Sequence, residues 1–199
     1  MERFKELFRQ NLMTQRLELR MLEPTLENAE QVWNAIKTEN REDFKYVDWT
    51  PDNIKPLQEN YGLPQSFSET ITQMRQEQEY DVVQGDGAVW YVFHNGQLIG
   101  HHGVFYSSRW NCMEGGDVWF IKSAWGQGFN REIWSLIIQK AFGELGVDRI
   151  NRRCFADNQR SKKSIISSGF LVDSHTPCSS RYVCGTYKKV LEFSLYRGR

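Results

Sequence analysis

Apolar residues along this 199-residue chain recur with two different periods. In the first third, residues 16–20 alternate apolar and polar side chains, the two-residue period of a half-buried strand. Thr25, preceded by Pro24, then begins a helical pattern. Its apolar stripe consists of Ala29, Val32, Trp33 and Ile36. This part of the chain therefore predicts a strand followed by a helix.

The middle of the chain predicts a helix and then a group of strands. Helical spacing is plausible over 68–78, and apolar strands are expected at 88–94 and 97–105. The dipeptide between these strands is Asn95-Gly96, which favours a tight hairpin because both central residues of a type I′ turn need positive φ. A further strand is expected at 117–122. These strands should pair as neighbours in one antiparallel sheet.

The second half alternates strands and helices. The strand at 117–122 leads into Trp125-Gly-Gln-Gly-Phe-Asn130, and a helical pattern follows that Gly143 and Gly146 should close. Its apolar residues are Ile133, Leu136, Ile137, Ala141 and Phe142. A strand is expected at 149–156, a helix at 159–168, and a last strand at 190–196 after a turn at Gly185. The order predicts an α+β fold, one domain over residues 1–199, with helices on both faces of the sheet.

Composition and charge exclude several classes of function. Lys plus Arg and Asp plus Glu both number 25, so no global basic field would hold a nucleic acid or an anionic membrane. No stretch has the length and apolarity of a signal peptide or a membrane span, which makes a cytoplasmic location the expectation. The four cysteines, Cys112, Cys154, Cys178 and Cys184, lack metal-binding spacing and predict reduced thiols, no disulfide and no metal.

The turn before the helix carries the first chemical suggestion. Gly126 and Gly128 permit unusual backbone angles, and the free N–H groups at a helix N-terminus bind anions such as a diphosphate. The same Gly-x-Gly pattern also occurs as ordinary punctuation between a strand and a helix. Taken alone, the turn leaves both interpretations open.

Two motifs together resemble a known family. Residues 125–130 resemble the pyrophosphate loop, Arg/Gln-x-x-Gly-x-Gly/Ala, of the GCN5-related N-acetyltransferases (GNAT). The segment from Asn158 through Ser161 to Gly169-Phe170 resembles the Asn-x-x-Ser helix of the RimJ/RimL-like branch, which acetylates ribosomal-protein N-termini. Shorter similarities occur at 14–20, at Trp49-Thr-Pro51, at 96–100 and at 185–197. Asn130 departs from the family, which prefers Gly or Ala there; its side chain could bond to a phosphate or crowd it.

The resemblance implies both a fold and a reaction. The fold would be a mixed, mostly antiparallel sheet that splays after its fourth strand, with acetyl-CoA wedged into the gap. The reaction would transfer acetyl to a primary amine by direct attack in a ternary complex, most naturally to the N-terminal α-amine of a protein or peptide. A small amine such as an antibiotic, polyamine or amino acid is the alternative acceptor. A non-catalytic module that binds acyl-CoA or a partner is the alternative of another class.

The resemblance also assigns roles to residues. Main-chain groups of Phe120 and Ile121 would pair with pantetheine and polarise the thioester. Ser161 would donate a proton to the leaving thiolate or contact the sulfur, and Asn158 would bind pantetheine unless it only caps its helix. The cofactor-binding turn would comprise Trp125, Gly126, Gln127, Gly128, Phe129, Asn130 and Arg131, with Arg160, Lys162 or Lys163 as further phosphate contacts.

The base and the acceptor wall are less determined. An α-amine has a pKa of about 7.7 to 8.0, so a carboxylate acting through water can suffice as the base. Glu114 and Asp117 are the candidates, unless both are exposed charges at a hairpin end. His101 and His102 could flank the acceptor site or be a strand-end pair without a role. Residues 40–68, rich in proline and aromatics, are the expected acceptor wall, and the chain could be a monomer or a homodimer.

Overall fold

The structure is a computed structural model that describes residues 1–47, 63–84, 86–173, 179–183 and 186–198. Its helices are α1 (Glu2–Phe8), α2 (Leu26–Ile36), α3 (Phe67–Gln84), α4 (Phe129–Gln139) and α5 (Gln159–Ser167). Its strands are β1 (Leu12–Met13), β2 (Glu18–Arg20), β3 (Gly87–His94), β4 (Gln97–Ser107), β5 (Cys112–Phe120), β6 (Arg149–Phe155), β7 (Leu171–Val172), β8 (Ser179–Val183) and β9 (Thr186–Tyr196).

One sheet joins these strands in the order β1-β2-β3-β4-β5-β6-β9-β7, with β8 paired to β9. All pairs are antiparallel except β5 with β6, which are parallel and pair only through Cys112–Glu114. From Gly115 onward β5 stays bonded to β4 but leaves β6, so a gap opens between the two strands. The predicted splay is thus confirmed, after the fourth of the predicted strands.

Helices cover both faces of the sheet, as predicted, and neighbouring residues of β3 show this. The Trp90 ring contacts Phe8 of α1, and its Nε1 donates to the Gln10 carbonyl oxygen at 2.8 Å. Tyr91 points the opposite way and donates its hydroxyl proton to Glu77 of α3. The hairpin that follows has φ of 50° at Asn95 and 76° at Gly96, which confirms the predicted turn.

Helix α2 begins at a side-chain cap, and α2 and α4 both bury an apolar stripe. The Thr25 hydroxyl accepts the Asn28 N–H and caps α2, and Ala29, Val32 and Ile36 of the predicted stripe are buried. In α4, Phe129, Ile133, Trp134 and Ile137 are buried in the same manner. Each fully buried large side chain stabilises the fold by about 1.5 to 3 kcal/mol, so these stripes hold both helices against the sheet.

Four local predictions were incomplete. The sequence did not predict α1, because charged residues interrupt the apolar pattern around Phe4 and Phe8. Both phenylalanines are buried. The fourth predicted strand, which is β5, begins at Cys112 and not at 117. The prediction missed its start because Gly115-Gly116 weaken the strand pattern. Helix α3 runs beyond residue 78 to Gln84. After α4 a π-helical turn over Lys140–Leu145 contains Gly143, and Gly146 alone ends it, at φ 79°.

None of the helices in the described ranges is both long and apolar enough to span a membrane.

Candidate active site

The gap between β5 and β6 opens into a cavity of about 900 Å³. Most of its lining comes from the segment after α2, helix α3, strand β4, strand β5 with the following turn and the start of α4, strand β6, and helix α5. Asp43, Phe44, Tyr46 and Val47 belong to the predicted acceptor wall and line it, whereas 48–62, with the Trp49-Thr-Pro51 similarity, lie outside the described residues. The cavity therefore contains residues of both the predicted acceptor wall and the predicted cofactor-binding turn.

The glycine turn has the geometry that an anion site needs. Gly126 and Gly128 have φ of 75° and 80°, in the left-handed region that favours glycine, and Gly128 is the N-cap of α4. The turn lines the cavity through Trp125, Gly126, Gly128, Phe129, Asn130 and Arg131. Gln127, also predicted there, instead donates its amide to the Ser123 carbonyl. The free N–H groups of the first helical turn thus border the gap.

Residues near the N-terminus brace this turn, which the sequence alone did not reveal. Arg16 donates to the Gln127 carbonyl at 3.1 Å and forms a 2.7 Å ion pair with Glu132 in the first turn of α4. The Thr14 hydroxyl donates to the same carboxylate. Burial raises the pKa of Glu132, but the hydrogen bonds from Thr14 and Arg16 outweigh it and the net shift is downward. Glu132 therefore stays charged and compensated beside the turn.

Trp125 is held on three sides. Arg160 of α5 lies over its ring at 3.4 Å from the centroid, and the Phe44 ring lies 5.7 Å away. Its Nε1 donates to the Phe120 carbonyl oxygen at 2.6 Å. Arg160 also donates to the Asp43 carbonyl, so this predicted phosphate contact is already engaged. Arg131 and Lys163 line the cavity, whereas Lys162 is not among the lining residues.

The main chain of β5 corrects one expectation. The Ile121 N–H donates to the Ile99 carbonyl inside the sheet, and its own carbonyl accepts from Ala124. Because main-chain groups alternate along an antiparallel strand, those of Val118 and Phe120 point away from β4, toward the gap. The Val118 main chain and the Phe120 N–H therefore face the gap, whereas the Phe120 carbonyl accepts from Trp125 and the Ile121 N–H is paired inside the sheet.

The Asn130 side chain lines the cavity and bonds to the neighbouring helix. Its side-chain Nδ2 donates to the Ser164 hydroxyl of α5 at 2.8 Å, so the amide is turned toward the neighbouring helix. Asn130, which stands where the family prefers Gly or Ala, thus links α4 to α5.

Strand β6 and helix α5 place a hydroxyl and a thiol together on the cavity wall. The Asn158 side chain caps α5 by accepting the Ser161 N–H at 3.1 Å, which is the capping alternative of the prediction. The Ser161 hydroxyl bonds to the Cys154 thiol; burial raises the pKa of that thiol more than this bond lowers it. Cys112 and Cys154 are buried free thiols, and Cys178 and Cys184 lie outside the described residues.

The two candidate bases differ in their surroundings. Glu114 forms a 3.0 Å ion pair with Arg153, both about 40% exposed, and is not among the cavity residues. Asp117 lies in the same strand, beside the irregular pairing of β5 with β4, and does line the cavity. Neither residue ends a hairpin, because β5 begins before both of them.

His101 was predicted either beside the acceptor site or at a strand end; it lies within β4, is only 2% exposed and lines the cavity. Its Nε2 is 3.3 Å from Glu77, which also accepts from Tyr91 and Gln73. Burial lowers the pKa of His101, but Glu77 and Asp117 together outweigh it, so the pKa is raised above 6.5. Glu77 is a cavity residue that sequence reasoning missed, since nothing local marks it.

His102 lies on the opposite face of the sheet, and its pKa is shifted in the opposite direction. It is fully buried, its ring lies 5.3 Å from Trp134 of α4, and burial followed by the charge of Arg152 holds its pKa well below 6.5. Within the described ranges, no three His, Cys, Asp or Glu side chains converge as a metal site would require.

A family model described as "Acetyltransferase (GNAT) domain" matches residues 16–171, which is most of the chain. The chain belongs to the GNAT acetyltransferase family. The GNAT assignment from the two sequence motifs is therefore confirmed, as is the class of enzyme, an N-acetyltransferase of a family that uses acetyl-CoA. A search of curated proteins finds no match.

Solved structures share the fold of this GNAT chain at low sequence identity. A putative ribosomal-protein-serine acetyltransferase from Vibrio cholerae is 21% identical, with a TM-score of 0.71 over 94% of this chain and 97% of that one. RimL, a ribosomal L7/L12 α-N-protein acetyltransferase in complex with coenzyme A, is 18% identical, with a TM-score of 0.69 and coverage of 94% and 97%. The microcin C7 self-immunity acetyltransferase MccE, in complex with acetyl-CoA and AMP, is 17% identical, with a TM-score of 0.71 and coverage of 92% and 93%.

Proposed function

We propose that this enzyme transfers the acetyl group of acetyl-CoA to the N-terminal α-amine of a protein or peptide. The observation that carries the proposal is that one cavity joins a helix-capping glycine turn, the edge of β5 that faces the gap, and the carboxylates of Glu77 and Asp117. The first two suit a diphosphate and an amide-bearing arm, and the third suits an amine. The similarity to RimL supports a peptide acceptor.

The donor would bind along β5. Its diphosphate would accept from the free N–H groups at the start of α4, near Arg131 and Lys163. Its amide-bearing arm would pair with the main chain of Val118 and with the Phe120 N–H, extending β5 into the gap. A main-chain N–H facing the thioester carbonyl would stabilise the oxyanion that forms on attack. Ser161, which lines the opposite wall, would hydrogen-bond to the departing sulfur.

The acceptor would enter on the side of α3. Glu77 and Asp117 line that part of the cavity, and negative charge favours an approaching ammonium group. Asp117 is the proposed base, directly or through water, because it lines the cavity on β5, the strand along which the donor would bind. An amine whose pKa is about 8 loses its proton near neutral pH at little cost. A modest carboxylate is therefore sufficient for this step.

The reaction then balances without another reagent. The neutral amine nitrogen attacks the thioester carbonyl carbon, a C–N bond forms, and the C–S bond breaks. The proton lost by the amine passes to the base, and the thiolate takes up a proton to leave as free coenzyme A. The products are an N-acetylated amine and a thiol.

The test is an acetyl-CoA assay against pooled peptides with free N-termini and against a panel of small amines, with thiol release as the readout. Peptides should react and α-N-blocked peptides of the same sequence should not. Binding is measured separately by thermal shift, where acetyl-CoA at 100 times Kd should add about 2.7 kcal/mol of stability. Turnover of small amines alone would replace the peptide acceptor; binding without turnover of any amine would favour a non-catalytic module.

A further inference from the structure

Arg152 is a buried cation at the inner end of the gap. It follows Asn151, the last residue of β6 that pairs with β5, and its side chain is only 6% exposed. The guanidinium carbon lies 4.4 Å from the centroid of the Trp134 ring and 5.5 Å from that of Phe170. Its aliphatic stem passes over Gly115, where an added Cβ would come within 3.3 Å of it. Arg152 is thus fixed in place by packing, and it lines the cavity.

This guanidinium lacks a counter-ion in the part of the chain that the structure describes. Its Nη1 is buried without a hydrogen-bond partner, and no carboxylate there contributes to its electrostatics. Burial lowers the pKa of Arg152 to about 9, far below the usual value of an arginine. Contacts with two ring faces offset only part of the cost of burying a guanidinium, so a buried Nη1 without a hydrogen-bond partner on a cavity wall indicates an anionic ligand group.

Geometry relates Arg152 to the donor rather than to the acceptor. Trp134, on which it packs, belongs to α4, the helix whose N-terminus forms the glycine turn. Gly115, at the apex of the gap, lies about 17 Å of extended strand from Phe120, at the open end. A thioester held by its diphosphate at the turn would carry its acyl group inward, toward this apex. The acidic residues Glu77 and Asp117 would repel a carboxylate on the acceptor side.

We propose that Arg152 binds a carboxylate at the end of the donor's acyl chain, so that the enzyme prefers a coenzyme A thioester of a dicarboxylic acid to acetyl-CoA. This inference rests on the proposed function, because it uses the same turn and the same gap. The carboxylate stays a spectator: the amine attacks the thioester carbon, the C–S bond breaks and coenzyme A leaves as before. Its two oxygens match the forked donors of the guanidinium.

The test compares succinyl-CoA, acetyl-CoA and free coenzyme A by calorimetric titration without any acceptor, followed by kcat/KM for both thioesters with one peptide. The wild-type protein should bind succinyl-CoA at least about ten-fold more tightly than acetyl-CoA, since a hydrogen bond to a charged group has that strength. Arg152→Gln should abolish this ratio while leaving the affinity for free coenzyme A within about three-fold. Arg152→Lys should keep part of the ratio.

Arg153→Gln is the matched control. Arg153 is the next residue of the same strand, but it is paired with Glu114 and is 43% exposed. This variant should retain the succinyl-to-acetyl ratio of the wild type within about two-fold.

The Arg152→Met variant tests whether removal of the charge affects folding. An apolar side chain of similar length removes an unpaired buried charge, so the midpoint of thermal unfolding should be equal to or higher than that of the wild type. A clear fall in that midpoint together with an unchanged succinyl-to-acetyl ratio would show that Arg152 serves the fold through its ring contacts, which contradicts a ligand-binding role.

The remaining outcomes separate the two proposals. Equal binding of both thioesters by the wild type, or an unchanged ratio in Arg152→Gln, would overturn this inference and leave the acetyl-transfer proposal standing. A preference that appears only with carboxylate-bearing acceptors would assign the anion to the acceptor and overturn it as well. Failure of every coenzyme A species to bind would overturn both.

Discussion

His101 and His102 are adjacent in β4 and both buried, yet the structure sets their protonation in opposite directions. We call the side of the sheet with His101, Glu77 and Tyr91 the acidic face. The side with His102, Trp134 and Arg152 is the basic face. A carboxylate from α3 raises the pKa of His101, whereas burial and a guanidinium from β6 lower that of His102.

The comparison shows that the strand alone assigns no chemistry to a residue. Successive side chains of a strand point to opposite faces, so identical neighbours meet different helices. Here the acidic face suits an amine, and the basic face suits an anionic donor. The cavity lies where both faces are accessible through the gap between β5 and β6.

The largest expected effect comes from removing charge on the acidic face. Asp117→Asn should lower kcat by about 100-fold, the usual contribution of a positioned general base, with little change in the affinity for acetyl-CoA. Glu114→Gln is the matched control: this carboxylate is paired with Arg153 and does not itself line the cavity, so kcat should stay within about three-fold. Steady-state kinetics with one peptide measures both. A larger loss in Glu114→Gln than in Asp117→Asn would reverse the assignment.

Asn130→Ala probes the link from the basic face to α5. Loss of the 2.8 Å hydrogen bond to Ser164 should lower the free energy of unfolding by about 1 to 2 kcal/mol, because the bond is partly buried. The affinity for coenzyme A should change less than about three-fold, since the side-chain amide already bonds to Ser164. Urea unfolding and titration measure the two effects. A large loss of affinity with unchanged stability would show that Asn130 contacts the phosphates.

The pH dependence of stability should separate the two histidines. Folding keeps His102 neutral while the unfolded chain takes up a proton below about pH 6.5, so acidification there should cost up to about 1.4 kcal/mol per pH unit. His101 is protonated more readily in the folded state, so its contribution is complete below about pH 6.5 and is lost as pH rises through its raised pKa.

Urea unfolding between pH 5.5 and 8 checks these signs. His102→Gln should flatten the loss of stability at acid pH, and His101→Gln should flatten the loss at alkaline pH. Identical pH profiles for the two variants would remove the distinction between the faces.

The smallest effect is expected at the exposed pair. Arg153→Gln should change the free energy of unfolding by less than about 1 kcal/mol, since the Arg153–Glu114 pair is solvent-screened. A loss above about 2 kcal/mol would mean that this pair supports β5 and β6 where they part.

Local features predicted much of the fold. The Asn95-Gly96 hairpin, the Thr25 cap and the turn at Gly126 and Gly128 each need only a few consecutive residues, and each has the expected backbone. The predicted start of β5 was wrong because the pair Gly115-Gly116 favours a turn in the sequence pattern. In the folded chain Trp134 and Arg152 pack over Gly115, so that glycine is a site of close packing and not of turning.

The sequence by itself determined the family, the strand-turn-helix that faces the gap, and the list of residues able to do chemistry. Only the tertiary structure decided which of these residues meet. Glu77 reaches His101 because α3 packs on β3 and β4, and Arg152 is buried because α4 covers the apex of the gap. Neither contact leaves a local pattern, since the pairing of side chains from separate elements depends on how those elements pack. Their charges follow from that packing, because burial and neighbouring charges together set each pKa.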